Sequence, residues 1–473
     1  MTRSLLHPSS LPNTSSFSRL FSVYSPTRRL QIPRTQPSSQ PLRTRPFTST
    51  MPIALSKSAA AVTADVGGQE NVDQLNRVSR DFRSDTVTIP TDDMLLYALK
   101  ATRGDDVYGE DPTTAALEKR VAELTGKEAA MFAVSGTQTN QLAIRTHMKQ
   151  PPHSVITDWR AHVHKMEAGG IAMFSQATTH QIVPENGVNL SLEDVESNLQ
   201  LGEDIHIAPT KLICLENTLS GMIFPQEEVV KIGELAKKHD IALHLDGARI
   251  WNVAADVVEK RGLDATKEED LKTVLTELIA PFDTASLCLS KGIGAPIGSI
   301  LVGPKDFIQK ARWFKKAFGG GIRQAGGITA SADYAITHHF PKLAVTHQLA
   351  KRLEQGLREA GCDILAQVDT NMVFFQPNKI GLPLDTVKAR LAALPDPITI
   401  GRERIVIHHQ ITPEAVEDFI ACVAEMKQEK LESGELQKEI DAEAKRMAER
   451  YATPEGEGNT SKSELRRRAA LGY

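Results

Sequence analysis

No disulfide framework and no zinc ribbon is written into this chain. Its four cysteines, Cys214, Cys288, Cys362 and Cys422, are far apart in sequence and none belongs to a C-x-x-C pair. Cys214 and Cys288 fall inside apolar runs and read as reduced core residues. No apolar stretch reaches the roughly 18–20 residues of a membrane-spanning helix, so no membrane partner is expected. Positive charge is not in excess either: 55 Lys and Arg against 59 Asp and Glu leave a net charge of -4. That balance gives no nucleic-acid surface and fits small neutral or zwitterionic ligands better.

Acidic residues are absent from the N-terminus as far as Asp65, the first in the chain. The same stretch holds Arg3, Arg19, Arg28, Arg29, Arg34, Arg43 and Arg45 among many Ser, Thr and Pro. An arginine-rich, acid-poor leader is the composition of an organelle transit peptide. It points to the mitochondrial matrix, with initiation at Met51 as a route to a cytoplasmic form; a disordered basic tail is the plainer alternative. Residues 1–75 are therefore set apart from the fold as leader and linker.

What remains of the 473 residues suffices for one large core and a second, smaller domain. From Asp81 onward short apolar runs alternate with helical patterns, the arrangement of a parallel sheet covered by helices. Five runs read as buried strands: "AAMFAV" (129–134), "KLICLEN" (211–217), "IALHLDG" (241–247), "TASLCLS" (284–290) and "GSILVG" (298–303). Between the second and third, Val229, Ile232 and Leu235 recur at helical spacing. Further on, Leu349, Leu353 and Leu357 mark a helix face, and "NMVFFQP" (371–377) and "RIVIHHQ" (404–410) read as strands. The division expected is 76–334 for a large domain, 335–428 for a small one and 429–473 for a charged helical or disordered tail.

Chemistry concentrates where strands end. Lys291 follows the apolar "SLCLS" and precedes the glycine-rich "GIGAPIG". An amine in such a setting loses proton affinity and becomes a nucleophile toward an aldehyde. Asp246 closes the apolar strand of "HLDGARIW"; a carboxylate there needs a cation, either Arg249 as a structural ion pair or a protonated heterocyclic nitrogen. "VSGTQTNQ" opens a helix after a strand, so Ser135, Gly136 and Thr137 either cap that helix or direct its N–H groups at a phosphate. Arg323 stands among five glycines in "FGGGIRQAGG", as a hinge residue or as a phosphate ligand. Phosphate cradle, buried aspartate and strand-end lysine together are the set that pyridoxal phosphate requires.

Two motifs point elsewhere. "GIGAPIG" resembles a dinucleotide fingerprint, but its third glycine comes one residue late and the loop runs through Pro296 into a strand instead of a helix. "HVHKME" (162–167) offers His162, His164 and Glu167 as metal ligands. A histidine packing on a cofactor ring is the preferred reading, a plain buried histidine the next, and no metal is expected. His338, His339, His408 and His409 read as ordinary packed histidines.

"FRSDTVTIPT", "DDVYGEDPTTAALE", "VSGTQTNQ", "RAHVHKMEAGG", "LENT", "HLDGARIWN", "CLSKGIGAPIGS" and "GGGIRQAG", in this order, resemble the L-threonine aldolases of the aspartate-aminotransferase-like fold, from about Asp81 to about Ala424. The resemblance implies an α/β chain with a large, mostly parallel seven-stranded sheet domain, a smaller C-terminal α+β domain, and cleavage of L-threonine to glycine and acetaldehyde with pyridoxal phosphate. By it, Lys291 carries the cofactor, Asp246 pairs with the ring nitrogen, His162 stacks on the ring, and Gly136 and Thr137 bind the phosphate. Arg323 arrives from a neighbouring subunit, so a homo-oligomer, a dimer of dimers, shares its active sites. Ser84, Arg249 and Arg404 hold the substrate carboxylate. Asp105, Tyr108 and Asp111 recur in the family motif, and Asp111 with Pro112 reads as N-cap and first residue of the next helix. One departure stands out: many members carry a histidine just after "ENT", where this chain has Leu219 and Ser220. Other reactions on the same scaffold, β-elimination or transamination, remain the alternatives, with a non-catalytic scaffold as the reading of a different class.

Overall fold

The computed structural model describes residues 68–434. The arginine-rich leader up to residue 67 and the charged tail from 435 lie outside the described residues. The first described element is the helix Gly68–Val78, at the end of the segment that composition sets apart. Of this helix only Val78 is buried.

Seven strands form one sheet: β1 (Ala129–Ala133), β2 (Ser154–Asp158), β3 (Thr178–Ile182), β4 (Thr210–Glu216), β5 (Ala242–Gly247), β6 (Thr284–Cys288) and β7 (Ser299–Gly303), in the order β1-β7-β6-β5-β4-β2-β3. β3, β2, β4, β5 and β6 pair in parallel, and β7 runs antiparallel to both its neighbours. Every residue of β2, β6 and β7 is buried, because helices cover both faces of the sheet. The five strand expectations in this region hold. β2 and β3 were not anticipated, and β3 shows why: its "TTHQI" is an edge strand whose only buried residue is Ile182, so it carries no apolar run.

Parallel pairing brings the C-terminal ends of β2, β4, β5 and β6 to one edge, where open α/β sheets bind ligands. The helix Gly136–His147 starts from the same edge after β1. Its N-cap Ser135 accepts a hydrogen bond from the Gln138 N–H at 3.1 Å. The helix Pro112–Thr125 begins as expected, with Asp111 as N-cap and proline in its first turn.

A second sheet, β10-β9-β8, is antiparallel and built from β8 (Asp363–Ile364), β9 (Met372–Gln376) and β10 (Arg404–Val406). It has its own apolar core, with Leu353, Leu357, Phe375 and Phe419 fully buried. Phe82 belongs to this core too: its ring meets Phe419 edge-on at 5.6 Å, and Asp81 bridges to Thr399. The start of the fold thus packs with its end. Leu343 lies in the core of the large sheet and Leu353 in the second, so the helix Leu343–Ala360 joins the two.

The glycines of "GIGAPIG" serve close packing, not a dinucleotide, and the chain enters β7 directly after them. Gly298 has φ +116°, and a Cβ there would collide with the Phe132 ring. Its carbonyl accepts from the Leu289 N–H at 2.9 Å, two residues before Lys291. Gly298→Ala should therefore cost on the order of 3 kcal/mol, combining backbone strain with overpacking. Urea unfolding measures this, and an unchanged midpoint would contradict it.

Candidate active site

A cleft of ≈ 190 Å³ opens at the C-terminal edge of the large sheet. Ser135, Gly136 and Thr137 form one wall, His162 and Asp246 another, and Ser290 and Lys291 close it. Residues spread over more than 150 positions of sequence meet here because each follows, or ends, a strand of the same edge.

Local packing fixes each of them. Trp251, almost wholly buried, donates from Nε1 to the Cys288 carbonyl at 3.0 Å and so pins the end of β6. Beyond it the loop turns on itself: the Gly294 N–H donates to the Lys291 carbonyl at 2.8 Å and the Ala295 N–H to the Leu289 carbonyl at 2.9 Å. The ring Nδ1 of His339 lies 2.8 Å from the Ile293 carbonyl, and His409 stacks on His339 at 4.4 Å. These two histidines, read from sequence as ordinary packed residues, buttress the loop that carries Lys291. Cys288, read as a core residue, also lines the cleft.

His162 is delivered by the turn after β2. The buried pair of Asp158 with Arg160, whose Nε and Nη2 donate at 2.9 and 2.8 Å, holds that turn. The His162 N–H donates to Glu216 Oε2 at 2.8 Å, and its ring Nδ1 lies 2.8 Å from Glu167 Oε1. Burial works against a charged ring, but the bond to Glu167 and the charges of Asp246 and Glu167 prevail and raise the His162 pKa. Within "HVHKME", His162 and Glu167 do converge, together with Asp246: His162 is bonded to Glu167, and the Asn140 amide donates to both Glu167 and Asp246. His164 turns away to Gln181 at 2.8 Å.

Asp246 is buried and does not form an ion pair with Arg249. Its Oδ1 accepts from the Ala248 N–H at 3.1 Å and its Oδ2 from the Asn140 amide at 2.8 Å. Arg249 instead grips Asp85 in a two-pronged pair at 2.8 and 2.7 Å. The guanidinium is taken up by Asp85, 164 positions away in sequence, so sequence adjacency misleads here. Burial alone would push the Asp85 carboxyl up; Arg249, with help from the Lys291 and His408 charges, holds it at about 2. Arg404 donates to the Arg83 carbonyl at 3.4 Å, and Ser84 Oγ accepts from Thr86 at 2.8 Å. Ser84, Arg249 and Arg404 thus gather around one segment, residues 83–85, outside the lining of the cleft. Arg323 also lies outside that lining: half exposed, it pairs with Asp105 at 2.8 Å and lies over the Tyr108 ring at 5.5 Å.

Glu216, Asn140 and Asp85 were not singled out from sequence, and Glu167 entered there only as a possible metal ligand. Glu216 stands opposite Asp246 in the β4–β5 ladder. Burial first, then the Asp246 charge, push its carboxyl up to about 8. The legible signal was "LENT" itself, an acidic residue ending an apolar strand as Asp246 does.

The donor set fits pyridoxal phosphate. A Cβ on Gly136 would project into open space, its nearest neighbour Cys288 Sγ at 4.0 Å, which leaves a cradle at the first turn of a helix. Lysine amine, buried carboxylate and imidazole share the same cleft. A family profile described as "Beta-eliminating lyase" matches residues 81–379. The chain is 48% identical to a "Probable low-specificity L-threonine aldolase" of Schizosaccharomyces pombe, over 71% of this chain and 84% of the relative. It is 36% identical to the "Alanine racemase TOXG" of Cochliobolus carbonum, over 72% and 85% of the two chains. Among solved structures, a threonine aldolase of Leishmania major superposes with a TM-score of 0.61 at 20% identity, covering 73% of this chain and 99% of that one.

Unfolded glutamate ionises near 4.5 and folded Glu216 near 8, so between these values the unfolded chain binds fewer protons and stability falls as pH rises. Glu216→Gln removes that loss while keeping an acceptor for the His162 N–H. Relative to the parent, the variant should gain on the order of 3 kcal/mol between pH 5 and pH 8. Denaturation at both pH values measures the difference; a gap independent of pH would assign the proton elsewhere.

Proposed function

The chain belongs to the beta-eliminating lyases and, among them, to the low-specificity L-threonine aldolases, and from that membership we propose that it cleaves L-threonine, and with it L-allo-threonine, to glycine and acetaldehyde. The observation that carries this reading is the meeting of Lys291, Asp246, His162 and the 135–137 cradle in one cleft.

When bound, pyridoxal phosphate supplies an aldehyde that condenses with amines and a ring that accepts the electrons of a bond broken at Cα. Lys291 Nζ would hold the aldehyde carbon, the N–H groups at Gly136 and Thr137 would hold the phosphate, and Asp246 would keep a proton on the ring nitrogen. His162 would cover the ring face. With Nδ1 committed to Glu167, proton transfer from the substrate β-hydroxyl falls to Nε2 or to a water it positions. Arg249, already aligned by Asp85, would act with Ser84 and Arg404 on the substrate carboxylate and so orient the Cα–Cβ bond for cleavage.

Three further parts belong to this reading. Residues 76–334 form the cofactor-binding domain and 335–428 the small domain. A second copy of the chain supplies Arg323 to the phosphate, in a dimer of dimers; the support is that Arg323 is presented half exposed by Asp105 and Tyr108, away from its own cleft. The arginine-rich leader directs the chain to the mitochondrial matrix, supported by its composition.

Purified protein should be yellow and should convert L-threonine to acetaldehyde and glycine. Ammonia and a keto acid would indicate β-elimination, as the family description allows, and D-alanine formed from L-alanine would indicate racemisation, as in the TOXG relative. Lys291→Ala should lose the colour and at least about 1,000-fold in turnover, the scale of a lost covalent anchor and its proton transfers. Retained turnover would remove Lys291 from its role. If Arg323 crosses between subunits, mixing Lys291→Ala with Arg323→Ala chains restores activity that neither has alone; absence of rescue argues for separate sites.

A further inference from the structure

His162, Glu167 and Asp246 place their ligand atoms within 4.8 Å of one another. Two carboxylates so close, with little water around them, repel unless donors are shared between them. One buried side chain serves both. The Asn140 amide donates to Asp246 Oδ2 at 2.8 Å and to Glu167 Oε1 at 3.0 Å, which uses both of its hydrogens.

That amide is also met from behind. His244 Nε2 lies 3.3 Å from Asn140 Oδ1, and His244 Nδ1 lies 2.8 Å from Thr284 Oγ1, which in turn meets His147 Nε2 at 2.9 Å. Burial holds the pKa of both histidines near 3, so each is neutral and donates once. The two carboxylates fix the Asn140 N–H groups toward themselves, and a chain of donors from His147 through Thr284 and His244 into the Asn140 carbonyl is consistent with that orientation, with Ser286 Oγ also 3.4 Å from His244 Nε2. Glu167 is completed by Gln141 at 2.6 Å and by His162.

We propose that Asn140 is a positioning residue that ties the carboxylate for the cofactor's ring nitrogen to the histidine on the cofactor's ring face. Through Asp246 it sets the edge of the ring, and through Glu167 it sets the ring of His162. It stands on the helix whose first turn holds the phosphate, so one helix references phosphate, ring edge and ring face together. This inference rests on the pyridoxal phosphate reading of the cleft.

Asn140→Leu keeps the size and removes the donors. Relative to parent, apoprotein carrying it should bind pyridoxal phosphate at least about tenfold more weakly, since each lost bond joins an amide to a charged group. The visible band of the bound cofactor should shift its pH midpoint, and kcat should fall about tenfold with KM for threonine within about twofold. Should Asn140→Leu fail to fold by circular dichroism, Asn140→Asp takes its place. It puts a third carboxylate beside Asp246 and Glu167, and its loss of affinity should ease as pH falls and a proton restores one donor. A variant that binds the cofactor as the parent does, with the same band and midpoint, overturns the role of Asn140 alone. A parent that takes up no pyridoxal phosphate overturns the reading of the cleft and this inference with it.

Discussion

Buried negative charge at the mouth of the large sheet is the constraint on which the rest of the site depends. Asp246, Glu216 and Glu167 are all buried within a small volume, and Asp85 lies beyond them. A carboxylate in such a place must be met by a cation, be supplied with donors, or keep its proton. The chain uses each solution once or more: Arg249 for Asp85, the Asn140 and Gln141 amides for Asp246 and Glu167, and a retained proton for Glu216. The amine of Lys291 enters a pocket whose field is already negative. That field would favour a positively charged ring nitrogen in a bound pyridoxal phosphate.

Much of this was legible along the chain. Lys291 and Asp246 announced themselves as polar residues ending apolar strands, and Ser135 to Thr137 as a helix opening after one. His162 and Arg323 stood out in motifs of their own, and the family resemblance added their roles and the segment around Ser84. The partners of these residues were not legible, because they lie far off in sequence: Asn140 is 106 positions from Asp246, and Asp85 is 164 from Arg249. Composition and periodicity record which residues a strand buries but not which helix will face its end. The same limit explains why sequence left two partners open for Asp246, its neighbour Arg249 and a heterocyclic nitrogen, where the structure pairs Arg249 with Asp85 instead.

The strands followed the same division. β4, β5, β6 and β7 carry continuous apolar runs because helices cover them on both faces, and they could be read directly. β3 sits at the sheet edge, mostly exposed, and its polar sequence left no periodic signature. The second core shows a different effect: Phe82 stands in sequence at the head of the large domain, yet its side chain fills the core built by Phe375 and Phe419.

That last contact orders events on the ribosome. Arg80 reaches Asp418 across 338 positions and the Phe82 N–H donates to the Thr399 carbonyl, so the opening of the fold has no partner until nearly the whole chain has been made. At about 5–20 residues per second that interval is on the order of tens of seconds. Asp85 meets Arg249 about halfway through it, but the ring of Phe82 stays uncovered beside a half-built sheet until the helix Pro413–Glu432 brings Phe419 over it.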